Sequence, residues 1–143
     1  MTIDPSSGST VRESVLQLAR TKLQGAHEDV KSRNGHIQAM KDDIKAGNLE
    51  AAQQEREAAL AAEQKVLADR SALLDFHKSV GGIRADIAQR GQDFLTFRTD
   101  MQAGDIEGAK AAFRAFHQDQ REIVKDLQAL GLNPSPSPFS VTA

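Results

Sequence analysis

The sequence predicts an all-α fold of two tandem antiparallel helical hairpins, forming a four-helix bundle or an extended helical rod completed by dimerisation. Three observations carry this. Apolar residues recur at steps of three and four over long stretches, the period of a helix face. Strong helix formers dominate a chain with 4% aromatics and no Cys, Trp or Tyr. One short stretch also occurs twice: residues 45–53 read KAGNLEAAQ and residues 102–110 read QAGDIEGAK. Gly relieves the left-handed backbone that closes a helix, and Asn or Asp is a favoured N-cap. Gly47-Asn48 and Gly104-Asp105 are therefore expected to be hairpin corners.

Residues 1–9, MTIDPSSGS, are polar and read as a disordered N-terminal tail. Thr10 followed by Glu13 fits a capping box that opens helix A, expected over 11–46. Its stripe is Leu16, Ala19, Leu23, Ala26, Val30, Arg33, Ile37, Met40 and Ile44, with Arg33 the one polar intruder. Helix B carries Leu49, Ala52, Arg56, Ala59, Glu63, Val66, Arg70 and Leu73, a smaller face interrupted by charge.

Moving the helix A stripe by 57 residues, the separation of Gly47 and Gly104, lands on Leu73, Phe76, Val80, Ile83, Ile87, Arg90, Phe94, Phe97 and Met101. Arg90 falls beneath Arg33, Gly82 beneath Gly25, Asp86 beneath Asp29. Helix B maps in the same way onto Ile106, Ala109, Phe113, Phe116, Gln120, Ile123, Leu127 and Leu130. The pattern reads as a duplicated hairpin within residues 10–131, one copy over about 10–80 and the other over about 81–131. Folding about each corner sets Arg33 opposite Glu63, Arg90 opposite Gln120, Phe97 opposite Phe113 and Phe94 opposite Phe116. Buried Arg is kept when paired, so these polar pairs are expected to fix helix register rather than bind a ligand.

Gly81-Gly82 leaves two arrangements open. Helices B and C share one heptad register and can run on as a helix of about 80 Å at 1.5 Å per residue, giving a rod that needs a second chain. Two adjacent glycines can instead end helix B and let C fold back into a compact bundle. The adjacent glycines favour the break. Residues 132–143, LNPSPSPFSVTA, read as a disordered Pro/Ser-rich tail in which Phe139 and Val141 are candidates for docking.

Chemistry finds little support. The four His (His27, His36, His77 and His117) do not recur between the repeats, and none follows a Glu three residues earlier, as a di-metal carboxylate bundle requires. Asp42, Asp43 and Glu50 cluster at one corner, and Asp100, Asp105 and Glu107 at the other, as groups that could hold Ca²⁺ weakly. No loop has the EF-hand length or ligand alternation, however, and Glu50, Asp105 and Glu107 are more simply explained as caps and charges at helix N-termini. There is no phosphate-binding Gly-rich loop or nucleophile elbow. No catalytic, metal or cofactor residue is expected, and the chain is read as not an enzyme.

A formal charge of −2 argues against nucleic-acid binding, and no apolar run is long enough to span a membrane. A cytoplasmic setting is expected, with non-Sec secretion left open. The run EREAALAAEQKVLADRSALL, residues 55–74, resembles the helical hairpins of small bacterial export chaperones of flagellar and type III secretion systems; the likeness covers helix B alone. The functional expectation is a non-enzymatic interaction protein (adaptor, chaperone-like or structural component) that binds protein partners, or a second copy of itself, through helical faces or the C-terminal tail. Two alternatives are a small-ligand or metal-binding bundle and a secreted effector or structural protein.

Overall fold

A computed structural model describes residues 3–135 of the chain. Among these residues the protein is all-helical, with three helices: α1 (Gly8–Ala46), α2 (Leu49–Ala103) and α3 (Ile106–Ala129). The corners show why the chain turns where it does. Gly47 and Gly104 have φ of +75° and +74°, a conformation that costs a residue with a Cβ more than it costs glycine. Around each, the amide of the glycine bonds back to Ile44 or Met101, and the next amide bonds to Asp43 or Asp100. This paired arrangement satisfies carbonyls that a helix end leaves free.

The residue after each glycine then opens the next helix. Asn48 Oδ1 accepts from the Ala51 amide at 3.3 Å, and Asp105 Oδ1 accepts from Gly108 at 2.9 Å. Each corner is thus two residues, closing one helix and capping another. α3 ends in the same way at Gly131 (φ +78°), with Gly131 bonded to Gln128 and Leu132 to Leu127.

The expected break at Gly81-Gly82 does not occur: helices B and C are one helix, α2, of 55 residues. Neither glycine has positive φ. The cost of two interior glycines, about 1 kcal/mol each, is smaller than what the shared apolar register on both sides secures. Phe76 and Ile83, which flank the pair in that register, are both buried.

The chain forms two compact units, and their boundary differs from the division at residue 80. One unit is Gln17–Asp75, the antiparallel pairing of most of α1 with the first half of α2. Its buried residues are small: Ala52, Ala59 and Ala62. Leu23, Ile44, Leu49, Leu60, Leu67 and Leu74 all stay exposed. We refer to it as the hairpin unit.

The other, the terminal unit, joins both ends of the described chain (3–16 and 76–135). It holds the larger core: Ile3, Val11, Val15, Phe76, Ile83, Ala109, Ala112, Ile123 and Leu127 are buried, and Pro5 is fully enclosed. The expectation of a disordered stretch over 1–9 is corrected for residues 3–7. Ile3 pairs with Pro134 in an isolated parallel bridge, its amide donating to Asn133 O at 2.9 Å and its carbonyl accepting from the Ser135 amide. Burial of Ile3 and Pro5 supplies the apolar gain that a free tail would lack. α1 accordingly starts earlier than the Thr10 box implies. Ser7 caps it, its carbonyl taking the Val11 amide and its Oγ bonding Thr10 Oγ1 at 3.0 Å.

Candidate protein-interaction site

In the hairpin unit, Arg33 on α1 and Glu63 on α2 meet across the helix pair, Nη1 to Oε2 at 2.8 Å. The side chains are 26% and 40% exposed, so the expectation of a buried pair is corrected here. Among the described residues this unit has only two helices, which leave one side of the guanidinium open. One turn nearer the corner, His36 Nδ1 lies 2.6 Å from Glu55 Oε2, a contact the sequence reading did not anticipate.

A groove of about 410 Å³ runs beside Arg33 and Glu63. Ala26, Val30, Val66 and Leu73 form its apolar lining, Leu67 and Leu74 stand along it, and Asp69 and Arg70 supply charge. Leu67 is 49% and Leu74 59% exposed. Apolar side chains left this open on facing helices are a characteristic of surfaces that receive a partner helix or peptide.

In the terminal unit, Arg90 is 8% exposed and Gln120 is also buried. Arg90 Nη1 donates to Gln120 Oε1 and, at 2.6 Å, to the carbonyl of Pro5; Nη2 reaches the Ser6 carbonyl at 3.5 Å. Burial pushes the guanidinium below its ordinary value, while Asp4 and Asp119 oppose that shift. The same residue type thus occupies two settings: Arg90 is roofed by the N-terminal segment, and Arg33 is not.

Nearer the second corner the aromatic residues stack in two layers. Phe97 faces Phe113 with ring centroids 5.6 Å apart, and Phe94 faces Phe116 at 6.0 Å. His117 stands edge-on to Phe113 at 4.4 Å. Phe94 and Phe113, together with Met101 and Ile106, remain about half exposed. This tip is a second apolar patch, held within one unit by ring contacts.

Paired carboxyls were missed by sequence reasoning. Asp29 hydrogen-bonds Asp69, which raises the Asp69 value, with burial adding to it. Burial and then the neighbouring Asp126 raise Asp86. Asp119 is pushed up to about 6, first by burial and then by its hydrogen bond to Asp93. Two like charges this close cannot both ionise without cost. Asp69 Oδ2 and Asp119 Oδ2 are buried and receive no donor from the protein's hydrogen-bond network. The signal was present in the sequence: Asp29 with Asp69 and Asp86 with Asp126 are both 40 residues apart and lie 57 residues from one another.

No family model, curated protein or solved structure matches the chain. Among the described residues no three His, Asp or Glu side chains gather as a metal-binding group. No helix there is long and apolar enough to cross a membrane. Gly47, Asn48, Gly104 and Asp105 lie at the corners with capping roles. Phe139 and Val141 lie outside the described residues.

Proposed function

We propose that the chain is a non-enzymatic helical interaction protein, an adaptor, chaperone-like or structural component, that binds protein partners through the open faces of its helical hairpins. The observation that carries this reading is the contrast between the two units. The hairpin unit buries only alanines and leaves six large aliphatic side chains exposed, whereas the terminal unit, though it too has exposed apolar residues, buries large ones such as Phe76, Ile83, Ile123 and Leu127. A two-helix hairpin has one face too few to bury both its stripes, and added helices complete it as in a four-helix bundle.

The two hairpins descend, in this reading, from a tandem duplication. Support comes from coincidences at one offset: the corners, Arg33 with Arg90, Glu63 with Gln120, and the Asp29–Asp69 pair with the Asp86–Asp126 pair. Polar layers at matching positions keep each hairpin in register, and the apolar residues between them are free to serve binding.

A photo-crosslinking side chain placed at Leu67, and separately at the solvent-facing Gln53, tests the proposal in cells of the source organism. Discrete protein adducts from Leu67 and none from Gln53 are expected. Absence of adducts from Leu67, Leu60 and Leu74 alike would refute it.

A further inference from the structure

The duplication pairs the groove of the hairpin unit with a place in the terminal unit that is already filled. Ala26, Val30, Arg33, Glu63, Val66 and Leu73 correspond, 57 residues on, to Ile83, Ile87, Arg90, Gln120, Ile123 and Leu130. In the terminal unit Ile83 and Ile123 are sealed from solvent, as are Pro5 and Val11 of the N-terminal segment. Arg90 points two of its nitrogens at the carbonyls of Pro5 and Ser6. An aliphatic–acidic–proline stretch, Ile3-Asp4-Pro5, thus passes over the arginine and, through a turn at Pro5-Ser6 closed by the Ser7 amide on the Asp4 carbonyl, enters the first turns of a helix.

The hairpin unit has the same arginine but no such segment. Arg33 turns its Nε and Nη2 to the side chain of its own neighbour, Asn34, at 3.3 and 3.2 Å. The residue equivalent to Asn34 is Gly91, which has no side chain to offer. Asn34 therefore holds Nη2, the nitrogen that reaches the Ser6 carbonyl in the other unit, and an exposed side-chain bond of this kind is exchanged at little cost.

Charge selects the segment further. Arg70, exposed on the groove, stands where the terminal unit has the fully buried Leu127, and it makes no ion pair or hydrogen bond among the described residues. Asp69 alongside it is engaged in a hydrogen bond with Asp29. With Arg33 paired to Glu63, Arg70 is the groove cation with no direct partner among the described residues, complementary to an acidic side chain like Asp4, whose carboxylate in the terminal unit lies within the field of Arg90.

We propose that the groove beside Arg33 binds a segment of a partner protein with the chemistry of this chain's own N-terminus: aliphatic, then acidic, then proline, turning into a helix. Aliphatic and proline side chains cover Val30, Val66 and Leu73, the carbonyls after proline accept from Arg33, and the acidic residue faces Arg70. This rests on the interaction-protein reading and names the class of partner for that site.

The test is fluorescence anisotropy with a labelled synthetic peptide of residues 3–16, titrated with the full chain. Saturable one-to-one binding is expected. A peptide with Asp4→Lys and Pro5→Gly should bind about tenfold or more weakly, the loss of a charge-assisted bond and of preorganisation. On the protein, Arg70→Glu and the paired change Arg33→Met with Glu63→Leu should each weaken binding by a similar factor. The paired change swaps the ion pair for apolar contact and so leaves helix pairing intact. Ile106→Gln at the far corner should leave binding unchanged. Absence of saturable binding overturns the proposal. So does binding that ignores both groove variants and is lost with Arg90→Met, because the peptide is then exchanging into the terminal unit. Adducts at Leu67 in cells without peptide binding would overturn this segment class and leave the broader reading standing; peptide binding without adducts would do the reverse.

Discussion

Replacing each arginine by alanine separates the two units energetically. Arg33 and Glu63 are 26% and 40% exposed, the setting in which an ion pair contributes about 0–1 kcal/mol because water competes for both charges. Arg33→Ala should therefore cost about 1 kcal/mol or less. Arg90 is 8% exposed and satisfies the Pro5 carbonyl at 2.6 Å as well as Gln120. Its loss strands two buried acceptors at about 1–3 kcal/mol each, so Arg90→Ala should cost about 3 kcal/mol. Urea unfolding followed by circular dichroism reads both. Hydrogen exchange adds a local check: the amides of Ile3 and Ser7, bonded to Asn133 and Asp4, should lose protection in Arg90→Ala and keep it in Arg33→Ala. Equal costs for the two variants, or an unchanged exchange pattern at residues 3–7, would refute the assignment of Arg90 as the clamp for the N-terminal segment.

Three further outcomes are expected. The native carboxyls of Asp119 and Asp86 hold protons more tightly than their unfolded counterparts, so stability should fall as pH rises from the ordinary Asp value of 3.8 through about 6. The Asp119 shift would be worth about 3 kcal/mol at 1.36 per unit, and solvent screening reduces this to about 1. Asp119→Asn should accordingly stabilise the protein by about 1 kcal/mol at neutral pH and flatten the slope in a pH series of denaturation curves; a parent protein that gains stability through this window contradicts the sign. Gly81→Ala and Gly82→Ala should each raise the melting temperature, by about 0.5–1 kcal/mol of added stability. Space allows it: nothing lies within 4 Å of an added Cβ at Gly81, and only Asp126 Oδ2, at 3.8 Å, at Gly82. A fall in stability for either would restore the helix break. Gly104→Ala, by contrast, should cost about 1 kcal/mol or more, since φ is +74° and strain follows whatever the space; thermal melts that show no loss would contradict the corner geometry.

Local chemistry was legible in the sequence. Gly47-Asn48 and Gly104-Asp105 announce the corners because left-handed backbone and N-capping have few residue solutions. Helical facing also follows from arithmetic once a corner is fixed, which is why Phe97 meets Phe113 and Arg90 meets Gln120. The continuity of α2 was harder to read. Two glycines look like a break until the apolar register that spans them, with Phe76 and Ile83 buried on either side, is weighed against about 2 kcal/mol of helix propensity. The folding of residues 3–7 was not readable from composition. Ile3 and Pro5 are two apolar residues in a polar stretch, and their burial depends on a surface brought together by residues some 80 to 130 positions away. The carboxyl pairs were hidden for a related reason, since a lone Asp on a helix reads as solvated until its cross-helix neighbour is known to be another Asp.

In the proposed function the exposed aliphatic face of the hairpin unit serves a partner and not the chain's own core. Equilibrium urea unfolding of Leu67→Gln and Leu74→Gln tests it most directly. Both variants are predicted to stay within about 0.5 kcal/mol of the parent, as substitutions at solvated positions do. A loss of about 2 kcal/mol or more, the penalty for removing a core side chain, would show that the protein closes this face by itself and would contradict the account.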